Sequence, residues 1–481
     1  MKDLDKAVER IISAVHKKEK IIIYGHDDMD GITSTYLLFD FLEKMGSQNH
    51  YYYIPNRQLD CHGIQKKFIE KLEQEKIELL ITVDGGISEF DAIHEIQANG
   101  TDVIITDHHL ILDNKIPDAF AVINPKQRDC NYPFKMLAGV GVIYFLIRKL
   151  AEKLQTEFDK NYLFWVAVGS FADKVPLEGV NRIFIKEVLD NWYSFNDLTL
   201  KKLKPFLRLA LSYHSRIYVI NQIIRILSSG RMKGGQNLTM NLFLAPTEEK
   251  EIIVRKLIDR QQIQEEALSK SRKYLQQIAP EKTEHHFIYF DKNGEIPIEL
   301  LGYCASQIAK IYKIPVVFLC HKNGKITGEG RCTEGFNLVD AFAHCQEYLI
   351  QFGGHSQAAG FSMKKKNIEQ FQNKFKEFVQ LKELEIDENR RINIDAVFTS
   401  NDFNKFDDYL QMDYQLLQPF GKGNPNPYFL MKNYLPRRDY QKVKIKGSNN
   451  NLLPDECYNV VFKFKGSSIK MVDHRNVNYL L

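Results

Sequence analysis

Through its first quarter the chain alternates short apolar runs with amphipathic stretches. "KIIIY" (20–24) has strand character and leads into a helical pattern from about Gly31 to Lys44. "YYYIP" (51–55) precedes the helical "IQKKFIEKLEQEK" (64–76), "ELLITV" (78–83) precedes a helix near 89–99, and "DVIIT" (102–106) follows. Strands alternating with helices predict βαβ units and a parallel sheet covered on both faces. Ahead of them, "MKDLDKAVERIISAVHKKEK" reads as a charged amphipathic helix rather than a secretory signal. From about 136 to 280 the pattern is mostly helical and ends in a long charged helix (248–278) suited to joining two lobes. A second α/β block begins at "HHFIYF" (285–290) and runs past "KIPVVFLC" (313–320) to about 380. Beyond "KELEIDENRR", the segments "INIDAVF", "QKVKIKG" (441–447) and "NVVFKFKGSSIKMV" (459–472) have more β character.

The expected architecture is therefore α/β with four parts. These are a parallel-sheet domain over 1–195, a helical connector over 196–284, a second α/β domain over 285–380, and a short β domain over 386–481.

Composition narrows the class. Hydrophobic content of 44% and charged content of 26% are ordinary for a soluble globular protein. No apolar run reaches the roughly 18 residues that a membrane span needs. Seven cysteines without a CxxC pair argue for reduced thiols in the cytoplasm, against a disulfide frame or zinc ribbon. The net charge of +4 is too small to name a partner, but its distribution is uneven. From 198 to 247 there is no Asp or Glu, while Lys201, Lys202, Lys204, Arg208, Arg216, Arg225, Arg231 and Lys233 all fall there. Such a stretch is either a track for a polyanion or a solvated helix face whose acidic partners lie elsewhere.

The chemistry sits at the ends of the predicted strands. "GHDDMDG" follows the first, "DGG" (84–86) the third and "DHH" (107–109) the fourth, and ligands of parallel sheets bind beyond the carboxyl ends of strands. Together they supply His26, Asp28, Asp30, Asp84, Asp107, His108 and His109, and "VGSFADKVPL" (168–177) adds Asp173. Carboxylates crowded this closely do not all stay ionised without cations between them. Carboxylate and imidazole ligands without cysteine favour Mn²⁺ or another first-row divalent ion over structural zinc. Two such ions form a clamp that activates water for in-line phosphoryl displacement. Each cluster taken singly also reads as a helix N-cap or solvated loop.

"HDDMDG", "TVDGGIS", "TDHH" and "ADKVPL" resemble the four ordered motifs of the DHH phosphoesterase superfamily. "YYIPNR" (52–57), "INPKQRDCNYPFKMLAGVGV" (123–142), "LSSGR" (227–231), "GEGRCTEGFNLVDAF" (328–342), "QFGGHSQAAGFSM" (351–363) and "LLQPFGKGNPNPYF" (416–429) resemble its RecJ-type branch of single-stranded-DNA exonucleases. The resemblance implies that Asp84 bridges two metals, with His26 and Asp28 on one and Asp30, His108 and Asp173 on the other. It implies that His109 faces the scissile phosphate and that Asp107 orients the imidazoles. It assigns 285–380 to the DHH-associated domain, where Arg331, Gly353, Gly354 and His355 grip the strand, and adds Arg57 and Arg231 as substrate contacts. It makes the last segment an OB-like nucleic-acid-binding domain. There Lys442, Lys444 and Lys446 share one face of a strand, near Tyr434, Arg437, Arg438 and Tyr440. An edge strand protected by lysines is the competing reading.

Three departures from that pattern stand out. His26 takes the place of the branch's usual Asp, "IPIEL" (296–300) replaces a Trp-His-x-Gly stretch, and "SSGR" keeps Arg231 without the usual asparagine. The resemblance implies a 5′→3′ exonuclease on single-stranded DNA in repair and recombination. It implies two ions, Mn²⁺ preferred and Mg²⁺ admissible, and a cytoplasmic monomer away from membranes. A single-strand-binding protein or a helicase is the candidate protein partner. A DHH phosphodiesterase for short oligonucleotides or cyclic dinucleotides, and a non-catalytic DNA-binding relative, stay open as alternatives. An inorganic pyrophosphatase fits least, because it has no use for the basic helical region.

Overall fold

The computed structural model describes residues 1–56, 63–111, 114–208, 212–231, 237–278, 280, 285–322, 324–333, 335–386, 393–399, 414, 416–439, 445–446, 452–453, 455–465 and 468–476. The chain divides into two compact units, Met1–Arg260 with Asn393–Leu481, and Gln261–Ile392.

The first unit is built on five parallel strands, β1 (Ile21–Tyr24), β2 (His50–Tyr53), β3 (Leu79–Val83), β4 (Asp102–Thr106) and β5 (Ala121–Ile123), in the order β2-β1-β3-β4-β5. Ile21 pairs with His50 on one side and Leu79 on the other, Leu79 with Asp102, and Ile104 with Ala121. The inner strands are mostly apolar because both faces are covered. Ile21, Ile23, Leu79, Ile81, Val83 and Ile104 enter one core, and Ile22, Leu80, Val103 and Ile105 the other. This is the period-2 alternation of a strand.

Helices α1 (Leu4–His16) and α2 (Met29–Lys44) cover the first face, while α3 (Lys66–Glu75) and α4 (Phe90–Ala98) cover the second. The first core continues through α5 (Gly139–Leu154), α6 (Tyr162–Asp173), α7 (Gly179–Asp190), α8 (Leu198–Leu203), α9 (Tyr213–Ser228) and α10 (Leu238–Leu244). Leu200, Leu203, Ile220, Ile223 and Leu242, from the stretch read as a connector, are buried in that same core. Part of its basic face is occupied by aromatic rings: Arg208 and Arg225 stand over Tyr218 at 5.0 and 5.8 Å, and Arg216 over Tyr193 at 5.4 Å.

Helix α11 (Thr247–Gln277) runs from the first unit into the second. The second unit holds β6 (Phe287–Asp291), α12 (Leu301–Tyr312), β7 (Val316–Lys322), β8 (Lys325–Arg331), α13 (Leu338–His344), β9 (Leu349–His355), β10 (Ala358–Met363) and α14 (Ile368–Ile386). Its sheet has the order β6-β7-β8-β10-β9, with only β6 and β7 parallel. The remaining part of the first unit is a sheet of β11 (Ala396–Thr399), β12 (Phe429–Tyr434), β13 (Ile445–Lys446), β14 (Tyr458–Lys465) and β15 (Ser468–Asn476). Its order is β11-β12-β14-β15-β13, around buried Met431, Val460 and Phe462. The strand expected over 441–447 is described only for Ile445–Lys446, which pairs with β15 at the sheet edge.

Candidate metal centre

From β1 the chain goes outward to β2 and then returns to the other side of β1 as β3. Loops leaving β1 and β3 therefore diverge and open a crevice at this switch point. The loop after β1 carries His26, Asp27 and Asp28, and Asp28 caps α2 by accepting the Gly31 N–H at 3.0 Å. The other Asp28 oxygen lies 2.9 Å from His26 Nδ1. A Cβ on Gly31 would stand 2.3 Å from the His26 Cβ, so glycine is what lets the helix start against His26. Asp30, in the first turn, is 2% exposed. Its two oxygens accept the N–H groups of Gly139 and Val140, both at 2.7 Å, and so cap α5 from across the core. Burial pushes the Asp30 carboxyl up to about 7, with His108 opposing and the charges of Asp173 and Asp28 adding to the rise.

Asp84 follows β3 directly with φ 56°, in the left-handed region, and is 3% exposed. A Cβ on Gly139 would lie 2.8 Å from Asp84, so the α5 terminus closes directly on this carboxylate. Asp84 Oδ1 is buried without a hydrogen-bond partner, although His108 Nε2 comes to 3.1 Å. Its Oδ2 is 3.6 Å from His26 Nδ1. Burial, reinforced by Asp30 and Asp28, raises this carboxyl well above the usual range.

After β4, buried Asp107 turns one oxygen to the backbone N–H groups of His108 at 2.6 Å and His109 at 2.9 Å, and to His109 Nδ1 at 2.8 Å. Its other oxygen accepts the Ile87 N–H at 3.0 Å. Burial works against ionisation, but the His109 hydrogen bond and charge, with the backbone N–H groups, hold the carboxyl below its ordinary value. In return, the bond to Asp107 raises the His109 imidazole.

The expectation that Asp107 orients both imidazoles is corrected for His108. Its Nδ1 stands 3.0 Å from the Leu137 carbonyl, and that contact turns Nε2 toward Asp84. The same Nε2 lies 3.8 Å from Asp30 and 3.8 Å from Asp173, the last residue of α6.

Among the described residues, three groups have donor atoms within 4.8 Å of one another: His26, Asp28 and Asp84; Asp30, His108 and Asp173; and Asp84, His108 and His109. The residues fit a pair of divalent cations. An orphaned buried oxygen and several carboxyls driven toward protonation mark acids whose charge calls for a cation among them. Carboxylate and imidazole donors without thiolate suit Mn²⁺ or Mg²⁺.

The other expected site residues are placed as follows. Arg57, Lys442 and Lys444 lie outside the described residues, and Lys446 is in β13. Arg231 is exposed just after α9. Gly353, Gly354 and His355 end β9, and Arg331 ends β8, all in the second unit. Across β10, Arg331 and His355 both pair with Ala358, so the three stand in one row. Arg331 is already engaged with Glu329 at 3.0 Å, the ion-pair role open to any lone arginine. Gly354 has φ +138°, and a Cβ there would meet the Ala358 carbonyl at 2.5 Å, so a close hairpin requires it.

Three residues escaped sequence reasoning. The Lys126 ammonium donates to the His108 carbonyl. Asn237 Nδ2 donates to buried Asp27 at 2.9 Å, tying the segment after Arg231 to the first motif. Lys422 stands near enough to Asp173 and Lys126 to act on their ionisation. "INPKQ" and "PFGKGNPNP" carry the two lysines as part of the resemblance, but nothing in the sequence gives them a role.

Fold and ligand set together define a protein of the DHH class. The DHH family, N-terminal domain, matches residues 20–170, and the DHHA1 domain matches residues 293–381. The chain is 31% identical over 440 residues to the single-stranded-DNA-specific exonuclease RecJ of Bacillus subtilis, covering 90% of this chain and 54% of that protein. It is 30% identical over 414 residues to RecJ of Salmonella typhimurium, covering 78% and 69%. The chain belongs to the RecJ family. It spans only about half the length of the Bacillus relative. Among solved structures, RecJ of Thermus thermophilus in complex with Mn²⁺ superposes with a TM-score of 0.78 at 24% identity, over 99% of this chain and 72% of that one. The same protein with Mg²⁺ gives 0.71 at 22% identity, over 98% and 70%. These two likenesses establish the fold.

Proposed function

We propose that this chain is a metal-dependent exonuclease that degrades single-stranded DNA from its 5′ end, in repair and recombination. The observation that carries the reading is Asp84: one buried carboxylate at the switch point belongs to two donor groups at once. Substrate class follows from the family, whose members in Bacillus subtilis and Salmonella typhimurium are named single-stranded-DNA-specific exonucleases.

His26 and Asp28 would hold one divalent cation, and Asp30, His108 and Asp173 the other, with Asp84 between them. The chemistry such a pair supplies when bound is neutralisation of the carboxylates, activation of water and polarisation of the phosphate. The protein's own groups do the rest. Asp107 keeps Nδ1 of His109 occupied and favours its cationic form, which leaves Nε2 to meet phosphate charge. Leu137 and Asp107 fix the two adjacent rings in different directions, so one serves as ligand and the other faces substrate. Each unit would carry strand contacts of its own: Arg57, Arg231 and the lysines 442, 444 and 446 in the first, and Arg331, Gly353, Gly354 and His355 in the second.

Mn²⁺ is the preferred ion because His26 adds an imidazole to the first shell, and Mg²⁺ prefers hard oxygens. The protein acts as a cytoplasmic monomer, with a single-strand-binding protein or helicase as its partner. Among the described residues no helix is long and apolar enough to cross a membrane. The test is incubation with Mn²⁺ and long single-stranded oligonucleotides labelled at either end. Immediate release of label from the 5′ end, with 3′-labelled strands shortening stepwise, is the expected result. A ladder growing from the 3′ end, or cleavage of only the shortest oligonucleotides, would overturn the reading.

A further inference from the structure

Strand β6 is the outermost strand of the second unit's sheet, with β7 on one side only. Between β6 and α14 lies a cavity of about 470 Å³, formed wholly within that unit. Ile288 and Val379, which also pack into the core, supply apolar wall. The polar lining comes from His285, His286, Gln372, Asn373, Lys376 and Gln380. Residues three and four apart share a helix face, which brings the four from α14 together on the side toward the cavity. Phe371 and Phe375 are buried in the core instead.

The His286 ring packs against Phe375, with ring centroids 6.3 Å apart, and is half-buried. Burial, with the charges of Lys376 and His285, holds its imidazole below the ordinary value. Glu377, next to Lys376 in the chain, is turned to Lys374 at 3.3 Å and to His344 at 3.9 Å. Among the described residues no carboxylate lines the cavity, and none lies within 4.0 Å of the Lys376 ammonium. An ammonium, two imidazoles and three amides thus converge on one recess without a negative charge. Donors of that kind match the oxygens of a phosphate. The competing role for Lys376 is to guard an edge strand against pairing. A guard needs the lysine alone and makes no use of a recess with imidazoles and amides around it.

We infer that this cavity is a binding site for an organic phosphate of mononucleotide size, in which Lys376 and His286 hold the phosphate and Gln372 and Gln380 orient the rest. Its volume is on the scale of one small ligand. The inference goes beyond the function proposed above and does not depend on it, since none of the candidate metal ligands takes part. A free mononucleotide and the phosphorylated end of a strand share this chemistry.

The test uses the full chain in chelator, so that no bound cation contributes, as wild type, Lys376→Gln, Lys376→Arg and His286→Gln. Calorimetry measures the binding of thymidine 5′-monophosphate and of thymidine, and NMR of labelled histidines follows the same titrations. The monophosphate is expected to bind wild type and to shift the His286 resonance, identified by its loss in His286→Gln. Lys376→Gln should weaken that binding about tenfold, the scale of one charge-assisted contact. Lys376→Arg should keep most of the affinity, and thymidine should bind at least about tenfold more weakly than its monophosphate. A 5′-phosphorylated trinucleotide and its 5′-hydroxyl counterpart separate the two sources. An advantage of the phosphorylated form that Lys376→Gln removes marks a strand end, and no such advantage marks a free nucleotide. No binding of the monophosphate at millimolar concentration overturns the inference. So do equal affinities of wild type and Lys376→Gln, an unmoved His286 resonance, or equal affinities for thymidine and its monophosphate, each of which leaves Lys376 as an edge guard.

Discussion

Asp107 holds His109 at two points: one carboxylate oxygen accepts the His109 backbone N–H at 2.9 Å and lies 2.8 Å from its ring Nδ1. The bond raises the imidazole, so the cationic form persists to higher pH than in the unfolded chain. If that cation meets phosphate, activity falls as pH rises through the His109 value. Asp107→Asn keeps an acceptor but removes the charge, and the alkaline fall should then begin at lower pH. A pH–rate profile of both proteins checks this, and an alkaline limb that does not move sinks the role given to His109.

Asp84→Asn separates chemistry from folding. Asparagine tolerates the left-handed backbone at this position, φ 56°, so the substitution adds little strain. Loss of the shared ligand should abolish nuclease activity. The metal-free protein should melt at the same temperature or higher, because an orphaned buried carboxylate is removed. Measurable turnover by a folded Asp84→Asn protein contradicts the assignment of Asp84 to both ions.

The metal-free protein should also become less stable as pH rises from about 4 to about 7. Burial pushes the Asp30 carboxyl up to about 7 in the fold, against 3.8 for a free aspartate. A carboxyl raised in the native state means that the folded chain binds more protons than the unfolded one across that window, so stability falls with rising pH. Urea denaturation in chelator at pH 5 and pH 7 measures the slope, and Asp30→Asn should flatten it. Adding Mn²⁺ at pH 7 should recover the loss by binding the native state.

His26 Nδ1 lies 2.9 Å from Asp28 and 3.6 Å from Asp84. An imidazole in that group favours a transition metal, whereas Mg²⁺ prefers oxygen ligands. Wild type should depend more steeply on Mn²⁺ over Mg²⁺ than His26→Asp, which should retain appreciable activity. Turnover of both proteins in each metal decides it. Identical ratios would place His26 outside the ligand shell.

Asn237 is buried and does two jobs. Its side-chain oxygen caps α10 through the N–H groups of Thr239 and Met240, both at 3.0 Å, and its amide donates to Asp27. Asn237→Ala should cost about 2–3 kcal/mol, the sum of a lost cap and a buried carboxylate deprived of a donor. Asn237→Asp should cost more, since it sets a second buried carboxylate against Asp27. Chemical denaturation of the three proteins ranks them, and equal stabilities would show that the Asp27 contact carries no energy.

Much of the first sheet is legible in the chain because β1, β3 and β4 are short, apolar and bounded by acids and glycines, a purely local signal. Several candidate ligands are legible for the same reason: His26, Asp28, Asp84 and His108 follow strands that the apolar runs already mark, whereas Asp173 closes helix α6. Strand β5, three residues long, sits among prolines and polar residues and gives no such pattern. The basic helices α8–α10 look like a connector because periodicity shows that a helix has an apolar face, not which surface covers it. Only the tertiary structure buries Leu203 and Ile223 in the core of the first sheet. Distance along the chain hides the rest. Asn237 and Asp27 are 210 residues apart, Lys126 meets His108 across 18, and Leu177 reaches Lys422 from a different part of the chain. A residue's local pattern records the strand or helix it belongs to. Which two such elements are brought within a hydrogen bond's length is decided by packing the whole core.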